Sequence, residues 1–189
     1  MPLRNVMICR GNPLWLPLSK SEIFCSEIDR VFKMQRITSA ATSLNQVNPA
    51  IKTVLPHLKG LTILDIGGGK YDANKIYATG LGVKLYVYDK FNRTEIENEQ
   101  ALACNPDAIV CNNVLNVIDD GQSMRNVIAL CASYQIPCYF TVYEGNKSGI
   151  GSQSKKGCWQ RNWKAADYVP ILKKYFGNVV CKSKFIICQ

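Results

Sequence analysis

The sequence predicts an α/β fold, a mostly parallel sheet with helices on both faces. Short apolar runs alternate with helical segments, a glycine turn follows the first of these runs, and an acid closes the second. The alternation begins with LTILDI at residues 61–66, which is followed by GGGK and a helical segment. Strands that alternate with helices at this spacing are joined by right-handed crossovers, which cover both faces of a parallel sheet.

Length and composition indicate one globular domain. The chain has 189 residues, of which 47% are hydrophobic and 20% charged, far from the composition of disordered or fibrous chains. Residues 1–46 show no clean periodicity apart from a helical segment at about 21–34, so we expect a partly helical amino-terminal extension. Residues 47–189 then form the domain itself.

The first helix of that domain is predicted to begin at Asn48-Pro49, a capping residue followed by a proline at the first helical position. Gly60 ends this helix, and Pro56 should kink or shorten it. After the first strand we expect a helix at about 71–79, strands at 84–89, 107–112 and 137–145, a polar segment at 90–106, helices at about 121–134 and 164–176, and a final strand or hairpin at 178–189.

The chain is basic and rich in cysteine. Lys and Arg number 23 against 14 Asp and Glu, and the formal net charge of +9 favours an anionic partner, nucleic acid foremost. The nine cysteines form no CxxC pair and several lie in apolar runs, which disfavours zinc and disulfide frameworks and indicates a reducing, cytoplasmic location. We expect no metal site, and no apolar stretch is long enough to suggest a membrane span or a secretion signal.

The clearest chemical signal lies at the carboxyl ends of the first two strands. Asp65, Gly67, Gly68 and Gly69 close the first strand, and Asp89, 24 positions after Asp65, closes the second. Ligands of open parallel sheets bind at this edge, where glycines allow close approach and an acid can accept hydrogen bonds from ribose hydroxyls. GGGKYD lacks the spacing of a P-loop and of a dinucleotide fingerprint, which leaves S-adenosylmethionine as the predicted ligand.

Segments around this site resemble a known enzyme family. ILDIGGGKYD resembles motif I of the class I S-adenosylmethionine-dependent methyltransferases, and VYDKFN resembles their ribose-binding motif. More narrowly, the order ITSAATSLNQVNPAIKTVLP, ILDIGGGKYD, YDKFNR and PDAIVCNNVLNVIDD is similar to small methyltransferase-like proteins associated with DNA phosphorothioation systems. The resemblance covers about residues 34–145 and implies a Rossmann-like fold, S-adenosylmethionine as cofactor and methyl transfer as activity.

The resemblance also implies roles for individual residues. Gly67, Gly68 and Gly69 would line the methionine and ribose of the cofactor, with Asp65 bracing the loop or meeting the amino group and Asp89 holding the ribose hydroxyls. Lys90 and Phe91 would flank the adenine, while Asn112 and Asn113 would face the methionine part and the substrate, with Leu115 and Asn116 continuing that rim.

The sequence departs from the family pattern in two places. Only 17 residues separate Asp89 from Asp107, too few for the helix, strand and helix of the full fold, so we expect the sheet to lack that edge strand. The segment after the third strand reads CNNVL, without the Pro-Pro-aromatic or Pro-Cys motifs of DNA methyltransferases. Pro137-Cys138 opens the next strand and is expected in the core.

Few side chains are candidates for catalysis or substrate binding. A sulfonium methyl is already activated, so a methyltransferase chiefly needs to position the acceptor and sometimes to remove a proton. Asn112, Asn113 and Glu144 are the candidate catalytic residues, and His57 is expected on the surface. The candidate substrate-binding residues are Tyr143 and a basic, aromatic loop that could suit unpaired bases, namely Lys147, Lys155, Lys156, Trp159, Arg161 and Trp163.

Three functions therefore remain open from the sequence. The first is a methyltransferase that acts on nucleic acid, and the second is one that acts on a small molecule or a protein. The third is a subunit that binds the cofactor without catalysis. The sequence leaves the oligomeric state undetermined.

Overall fold

The computed structural model describes residues 42–153 and 157–189. Its strands are β1 (Thr62–Ile66), β2 (Lys84–Tyr88), β3 (Ala108–Asn112), β4 (Cys138–Thr141), β5 (Ser152–Gln153), β6 (Trp159–Gln160), β7 (Val179–Lys182) and β8 (Phe185–Cys188). Its α-helices are α1 (Pro49–Val54), α2 (Ala73–Gly80), α3 (Glu95–Leu102), α4 (Gly121–Ser133) and α5 (Ala165–Leu172), with 3-10 turns at Leu55–Leu58 and Leu115–Val117.

Within the described residues, six strands form one sheet in the order β2-β1-β3-β4-β8-β7. The first four are parallel, and helices α2, α3 and α4 make the crossovers between them. Strand β8 runs antiparallel to both β4 and β7, so the end of the chain forms a hairpin. Strands β5 and β6 form a separate two-stranded ribbon. The predicted α/β class with a mostly parallel sheet is confirmed.

Helices cover both faces of the sheet, which explains why its strands are continuously apolar. Leu64 of β1 packs in a core that includes Ile128 of α4 and Tyr168 of α5. Its neighbour Ile63 points to the opposite face and packs in a second core with Ile51 of α1. A strand that is buried on both faces has no solvated side, so LTILDI shows no regular alternation of polar and apolar residues.

The first helix follows its predicted signals. The Asn48 side chain accepts a hydrogen bond from the Ala50 amide at 2.9 Å, and Pro49 occupies the first turn. Helix α1 ends at Val54, and Pro56 lies in the 3-10 turn that follows it. The predicted helix at 164–176 is shorter than expected, since α5 covers only Ala165–Leu172.

The lost edge strand is confirmed within the described residues, where β2 forms the edge of the sheet and α3 alone lies between β2 and β3. The sequence predicts only a polar segment at 90–106, without this helix. Its helix begins with a capping box in which the Glu97 amide donates to Thr94 Oγ1 at 3.3 Å and the Thr94 amide donates to Glu97 Oε2 at 2.9 Å. Helix α3 buries few apolar side chains against β2, so its sequence lacks the 3.6-residue hydrophobic repeat by which a helix is recognised.

Several cysteines are core residues, as the apolar runs around them predicted. Cys111, Cys131, Cys138 and Cys188 are completely buried, and burial raises the pKa of the Cys188 thiol to about 12. All seven cysteines of the described residues are free thiols. The predicted core position of Cys138 is therefore confirmed.

The described part of the chain holds neither a helix long and apolar enough to cross a membrane nor a group of three or more His, Cys, Asp or Glu side chains placed to bind a metal. The last residue, Gln189, exchanges two backbone hydrogen bonds of 2.9 Å with Asn178, which extends the terminal hairpin. The helix expected at about 21–34 lies outside the described residues.

Candidate functional site

A cavity of about 240 Å³ opens at the carboxyl ends of β1, β2 and β3. Its floor is the glycine turn after β1, and its sides are the segments that follow β2 and β3, together with the chain just before α1. The predicted site residues that line it are Gly67, Gly68, Gly69, Asp89, Lys90, Phe91, Asn112 and Asn113. Sequence positions far apart in the chain thus meet at the edge where a parallel sheet binds its ligands.

The glycine turn leaves no room for side chains. Gly67 has a φ of +75°, and a Cβ at this position would overlap the side chain of Val114. A Cβ on Gly68 would lie 2.7 Å from Asp65 Oδ2 and 2.8 Å from Val87 Cγ1. Only glycine therefore fits at these positions, and the bare backbone becomes part of the cavity surface.

The three amides of the turn are used differently. The Gly67 amide donates to the Tyr88 carbonyl at 2.7 Å, and the Gly69 amide donates to Asp89 Oδ2 at 2.8 Å. The Gly68 amide has no hydrogen-bond partner among the described residues. It is the donor of this turn that a ligand in the cavity can use without breaking a bond.

Asp89 organises the end of β2. Besides the Gly69 amide, its carboxylate accepts hydrogen bonds from the Phe91 amide at 3.0 Å, the Asn92 amide at 3.1 Å and Asn92 Nδ2 at 3.0 Å. Three of these four bonds fall on Oδ1 and only the bond from Gly69 falls on Oδ2, so Oδ1 is crowded and Oδ2 keeps room for another donor. The Asn92 side chain is the one donor of the four that is not backbone, so a ligand hydroxyl would displace it most readily.

Asp65 lies beneath the turn and does not line the cavity. It is 1% exposed, accepts a hydrogen bond from Asn74 Nδ2 at 3.3 Å, and its Oδ1 has no hydrogen-bond partner among the described residues. Burial raises the pKa of its carboxyl to about 7, and the charge of Asp89 adds to the rise, while Asn74 and Arg93 oppose it. Of the two roles that the resemblance implied, this position supports bracing of the loop.

Arg93 ties the segment after β2 to the glycine turn, a role that the sequence analysis missed. Its side chain is 8% exposed. Nε donates to the Gly69 carbonyl at 2.8 Å, Nη2 donates to the Tyr71 carbonyl at 3.2 Å, and Nη1 lies 2.8 Å from Asp72 Oδ1. Since a planar guanidinium can hold several acceptors in fixed positions, Arg93 fixes the path of the turn relative to β2.

The chain before α1 forms a wall of the cavity, which the sequence analysis also missed. Thr42, Ser43, Leu44, Gln46 and Asn48 line it. Ser43 Oγ lies so close to Gly69 that a Cβ there would be 2.7 Å from it. The Asn48 amide donates to Asn74 Oδ1 at 2.9 Å and so joins this wall to the support beneath the turn.

Asn112 and Asn113 form the side of the cavity at the end of β3. Asn112 Oδ1 accepts a hydrogen bond from Thr141 Oγ1 at 3.0 Å, which orients the amide. Asn112 Nδ2 is buried and unpaired within the part of the chain that the structure describes. Asn113 has a φ of +57° and is exposed, and its amide donates to the Thr141 carbonyl at 2.9 Å.

The predicted continuation of the rim is wrong. Leu115 is completely buried in the core and Asn116 is 2% exposed, and neither lines the cavity. Asn116 Nδ2 donates to Gln160 Oε1 at 3.1 Å, and Asn116 Oδ1 accepts from the Tyr143 amide at 3.4 Å. The 3-10 turn rotates both side chains inward, so Asn116 joins β6 to the end of β4.

Glu144 also lies outside the cavity lining. It is 9% exposed, Oε1 accepts a hydrogen bond from the Ala165 amide at 2.9 Å, and Oε2 lies 3.1 Å from the Lys147 ammonium. The hydrogen bond from Ala165, followed by the effect of Lys147, holds the pKa of this carboxyl below its usual value. The structure thus places Glu144 at the start of α5, and its catalytic role stays a prediction.

The predicted substrate-binding residues do not line the cavity either. Tyr143 is 58% exposed and follows β4, the neighbour of β3 in the sheet, and Trp159 packs against Gly151. Arg161 Nη2 donates to the carbonyls of Ile118 at 2.6 Å and Asp119 at 3.2 Å, which occupies it within the protein. Lys155 and Lys156 lie outside the described residues, Trp163 donates to the Gly149 carbonyl, and His57 is exposed.

Comparison with known proteins places the fold. No protein-family model matches the chain, and no curated protein matches it. A similar solved structure is that of Burkholderia thailandensis 1,6-didemethyltoxoflavin-N1-methyltransferase with bound 1,6-didemethyltoxoflavin and S-adenosylhomocysteine. The two share 13% identity and a TM-score of 0.58 over 94% of this chain and 91% of that one. The chain therefore has the Rossmann-like α/β fold of that structure.

Proposed function

We propose that this protein is an S-adenosylmethionine-dependent methyltransferase whose cofactor binds in the cavity at the ends of β1, β2 and β3. The observation that carries the proposal is the meeting of the glycine turn with Asp89 at this edge, with the Gly68 amide free to donate. The solved neighbour of the same fold is a methyltransferase with S-adenosylhomocysteine bound, which supports this assignment.

The residues of the cavity suit the parts of this cofactor. The Gly68 amide and Asn112 Nδ2 are donors without partners among the described residues, and a carboxylate is the ligand group that two such donors attract. Asp89 Oδ2 accepts one hydrogen bond and can take a ribose hydroxyl, and Oδ1 can accept a second one once the Asn92 side chain turns away. Phe91 is 47% exposed at the cavity and offers a ring face to the adenine.

The chemistry needs little from the protein beyond position. The cofactor would supply a methyl group on a positively charged sulfur, which is reactive without further activation. Asn112 and Asn113 form the side of the cavity next to β3 and would orient the acceptor. Among the described residues that line the cavity, Asp89 is the one carboxylate, and its oxygens already accept hydrogen bonds from the protein, so we assign the rate enhancement to positioning rather than to a general base.

For the acceptor we propose nucleic acid, on the basis of the net charge of +9. A small-molecule acceptor is the second candidate, because the solved neighbour carries a small molecule in its site. A screen with a labelled methyl donor over single-stranded DNA, RNA, heteroaromatic compounds and protein separates the two. Transfer to none of them by a protein that binds the cofactor would favour a subunit that binds without catalysis.

Calorimetric titration tests the assignment of the cofactor. S-adenosylmethionine and S-adenosylhomocysteine are titrated into the wild type, into Asp89→Ala and into the control Glu99→Ala, which removes an exposed carboxylate from α3. We expect binding by the wild type and the control and loss of binding by Asp89→Ala. The absence of binding by the folded wild type, or equal binding by all three proteins, would contradict the proposal.

A further inference from the structure

The carboxyl edge of the sheet continues past the cavity into a second surface. The strand order places the end of β4 next to that of β3, followed by the turn between β7 and β8. Phe185, at the start of β8, pairs with Thr141, the last residue of β4, so this turn reaches the same edge. With strands about 4.8 Å apart, the surface begins within about 10 Å of the cavity.

Lysines from three separate segments lie on this surface, and two of them act on the carboxylate of Glu144. Glu144 accepts the Ala165 amide and pairs with Lys147, whose side chain is 56% exposed. Lys184, in the turn between β7 and β8, also acts electrostatically on Glu144, and Lys164 directly precedes Ala165. Lys182 ends β7 beside the same turn. These four lysines are all exposed.

The acids of this surface do not balance its positive charge. Glu144 is 9% exposed and is already paired with Lys147. Asp167 is exposed, but its carboxylate accepts a hydrogen bond from the Lys164 amide at 2.8 Å and caps α5. Four ammonium groups therefore face two carboxylates, and an excess of positive charge points to a partner with repeated negative charges.

An exposed aromatic residue follows β4 at the same edge of the sheet. Tyr143 is 58% exposed although its backbone is fixed, because its amide donates to Asn116 Oδ1 and its carbonyl accepts from Gln160 Nε2 at 2.8 Å. An exposed ring on a fixed backbone offers a stacking surface to a base. Stacking requires an unpaired base, and only an unpaired base could reach into the cavity.

We propose that single-stranded nucleic acid binds along this surface, with its phosphates on Lys147, Lys164, Lys182 and Lys184 and a base stacked on Tyr143. The proposal rests on the proposed function for its meaning, since the strand would deliver a base to the cavity. Binding of the strand is nevertheless a property of the surface and can be measured without the cofactor.

The test is fluorescence anisotropy of a labelled 20-nucleotide oligothymidylate over a series of salt concentrations, with no cofactor present. Each lost phosphate contact makes the logarithmic salt slope of a single strand shallower by about 0.7. The double variant Lys182→Gln/Lys184→Gln should therefore have a slope about 1.4 shallower and bind about 25-fold more weakly at 0.1 M salt. The matched control Lys59→Gln/Lys84→Gln removes two exposed lysines from the opposite edge and should leave the slope unchanged.

A second pair of variants tests the stacking. Tyr143→Leu should weaken binding by at least about fivefold at every salt concentration, whereas Tyr175→Leu, which removes an exposed ring just after α5, should not. Equal losses in the two lysine variants would overturn the proposal. Equal binding of a duplex, or equal competition by polyglutamate, would also overturn it and indicate a general preference for polyanions.

The outcome separates this proposal from the proposed function. Cofactor binding in the calorimeter together with no specific oligonucleotide binding would refute the surface alone and favour a small acceptor. Specific oligonucleotide binding without cofactor binding would refute the methyltransferase assignment and leave the surface standing.

Discussion

Replacing Asp65 with asparagine should remove much of the pH dependence of the protein's stability. The carboxyl lies beneath the glycine turn, 1% exposed, with Asn74 as its hydrogen-bond partner. Asp89 disfavours its ionisation and Arg93 favours it, but burial is the largest cause and keeps it protonated up to about pH 7. Asparagine has nearly the same shape and cannot ionise, so the variant isolates the cost of the charge.

The sign and the size of the effect follow from the two protonation states. In the unfolded chain the carboxyl has its ordinary pKa of 3.8, whereas in the folded protein the pKa is about 7. Between these values the folded state binds more protons, so the free energy of unfolding falls as the pH rises, by about 1.4 kcal/mol per unit. Above pH 7 the fall levels off, which gives a loss of about 2 kcal/mol between pH 5.5 and 8.5.

Urea unfolding at pH 5.5, 7 and 8.5 measures this loss. With an m-value of about 2 kcal/mol/M, the midpoint of the wild type should fall by about 1 M relative to that of Asp65→Asn over this range. The buried amide of the variant adds a constant offset, which does not affect the comparison. Glu99→Gln, an exposed change on α3, serves as the control. Midpoints of wild type and Asp65→Asn that run parallel across the three pH values would refute the reasoning.

Three further predictions concern the glycine turn and the segment after β2. Gly68→Ala should abolish cofactor binding and lower the free energy of unfolding by about 1–3 kcal/mol, because the added methyl would lie 2.8 Å from Val87. Calorimetry measures the binding and urea unfolding measures the stability. Cofactor affinity equal to that of the wild type would contradict the reasoning. Arg93→Lys should weaken S-adenosylmethionine binding about tenfold, because an ammonium cannot donate to both carbonyls that the guanidinium binds. Calorimetric titration of this variant and of the exposed control Arg125→Lys checks this. Equal affinities of the two variants would refute it. Asn92→Ala should tighten S-adenosylmethionine binding about fivefold, because it removes a side-chain donor from the Asp89 carboxylate. Weaker binding in the calorimeter would show instead that Asn92 itself contacts the ligand.

The parts of the fold that could be predicted from the sequence depend on local signals. The cap at Asn48 and the apolar strands can each be recognised within a few residues of sequence. The 17 residues between Asp89 and Asp107 are too few for another strand, which predicted its absence. Helix α3 was missed even though TEIE contains its capping box, because the segment has no apolar period to draw attention to it. Its stability comes from the cap and from its contact with β2.

The site was predictable where strand ends define it and unpredictable where side chains reach across the fold. The glycine turn and Asp89 meet because parallel strands end at one edge. Arg93, in contrast, contacts carbonyls more than twenty positions away, and Ser43 lies against Gly69 from outside any predicted element. Glu144 follows β4, which ends at Thr141 and is shorter than the strand expected over 137–145, and only the structure shows that the amide at the start of α5 binds its carboxylate.

The reversal of the last strand also decides where the molecule can be held for experiments. Strand β8 runs from the cavity edge back to the opposite edge, where Cys188 pairs with Cys138 at the start of β4 and Gln189 with Asn178. A tag or surface linker attached to Gln189 would therefore extend from the side of the molecule that lies away from the cavity. Immobilised through this end, the protein would present its whole binding edge to solution, which suits surface-based measurements of cofactor and oligonucleotide on the same sample.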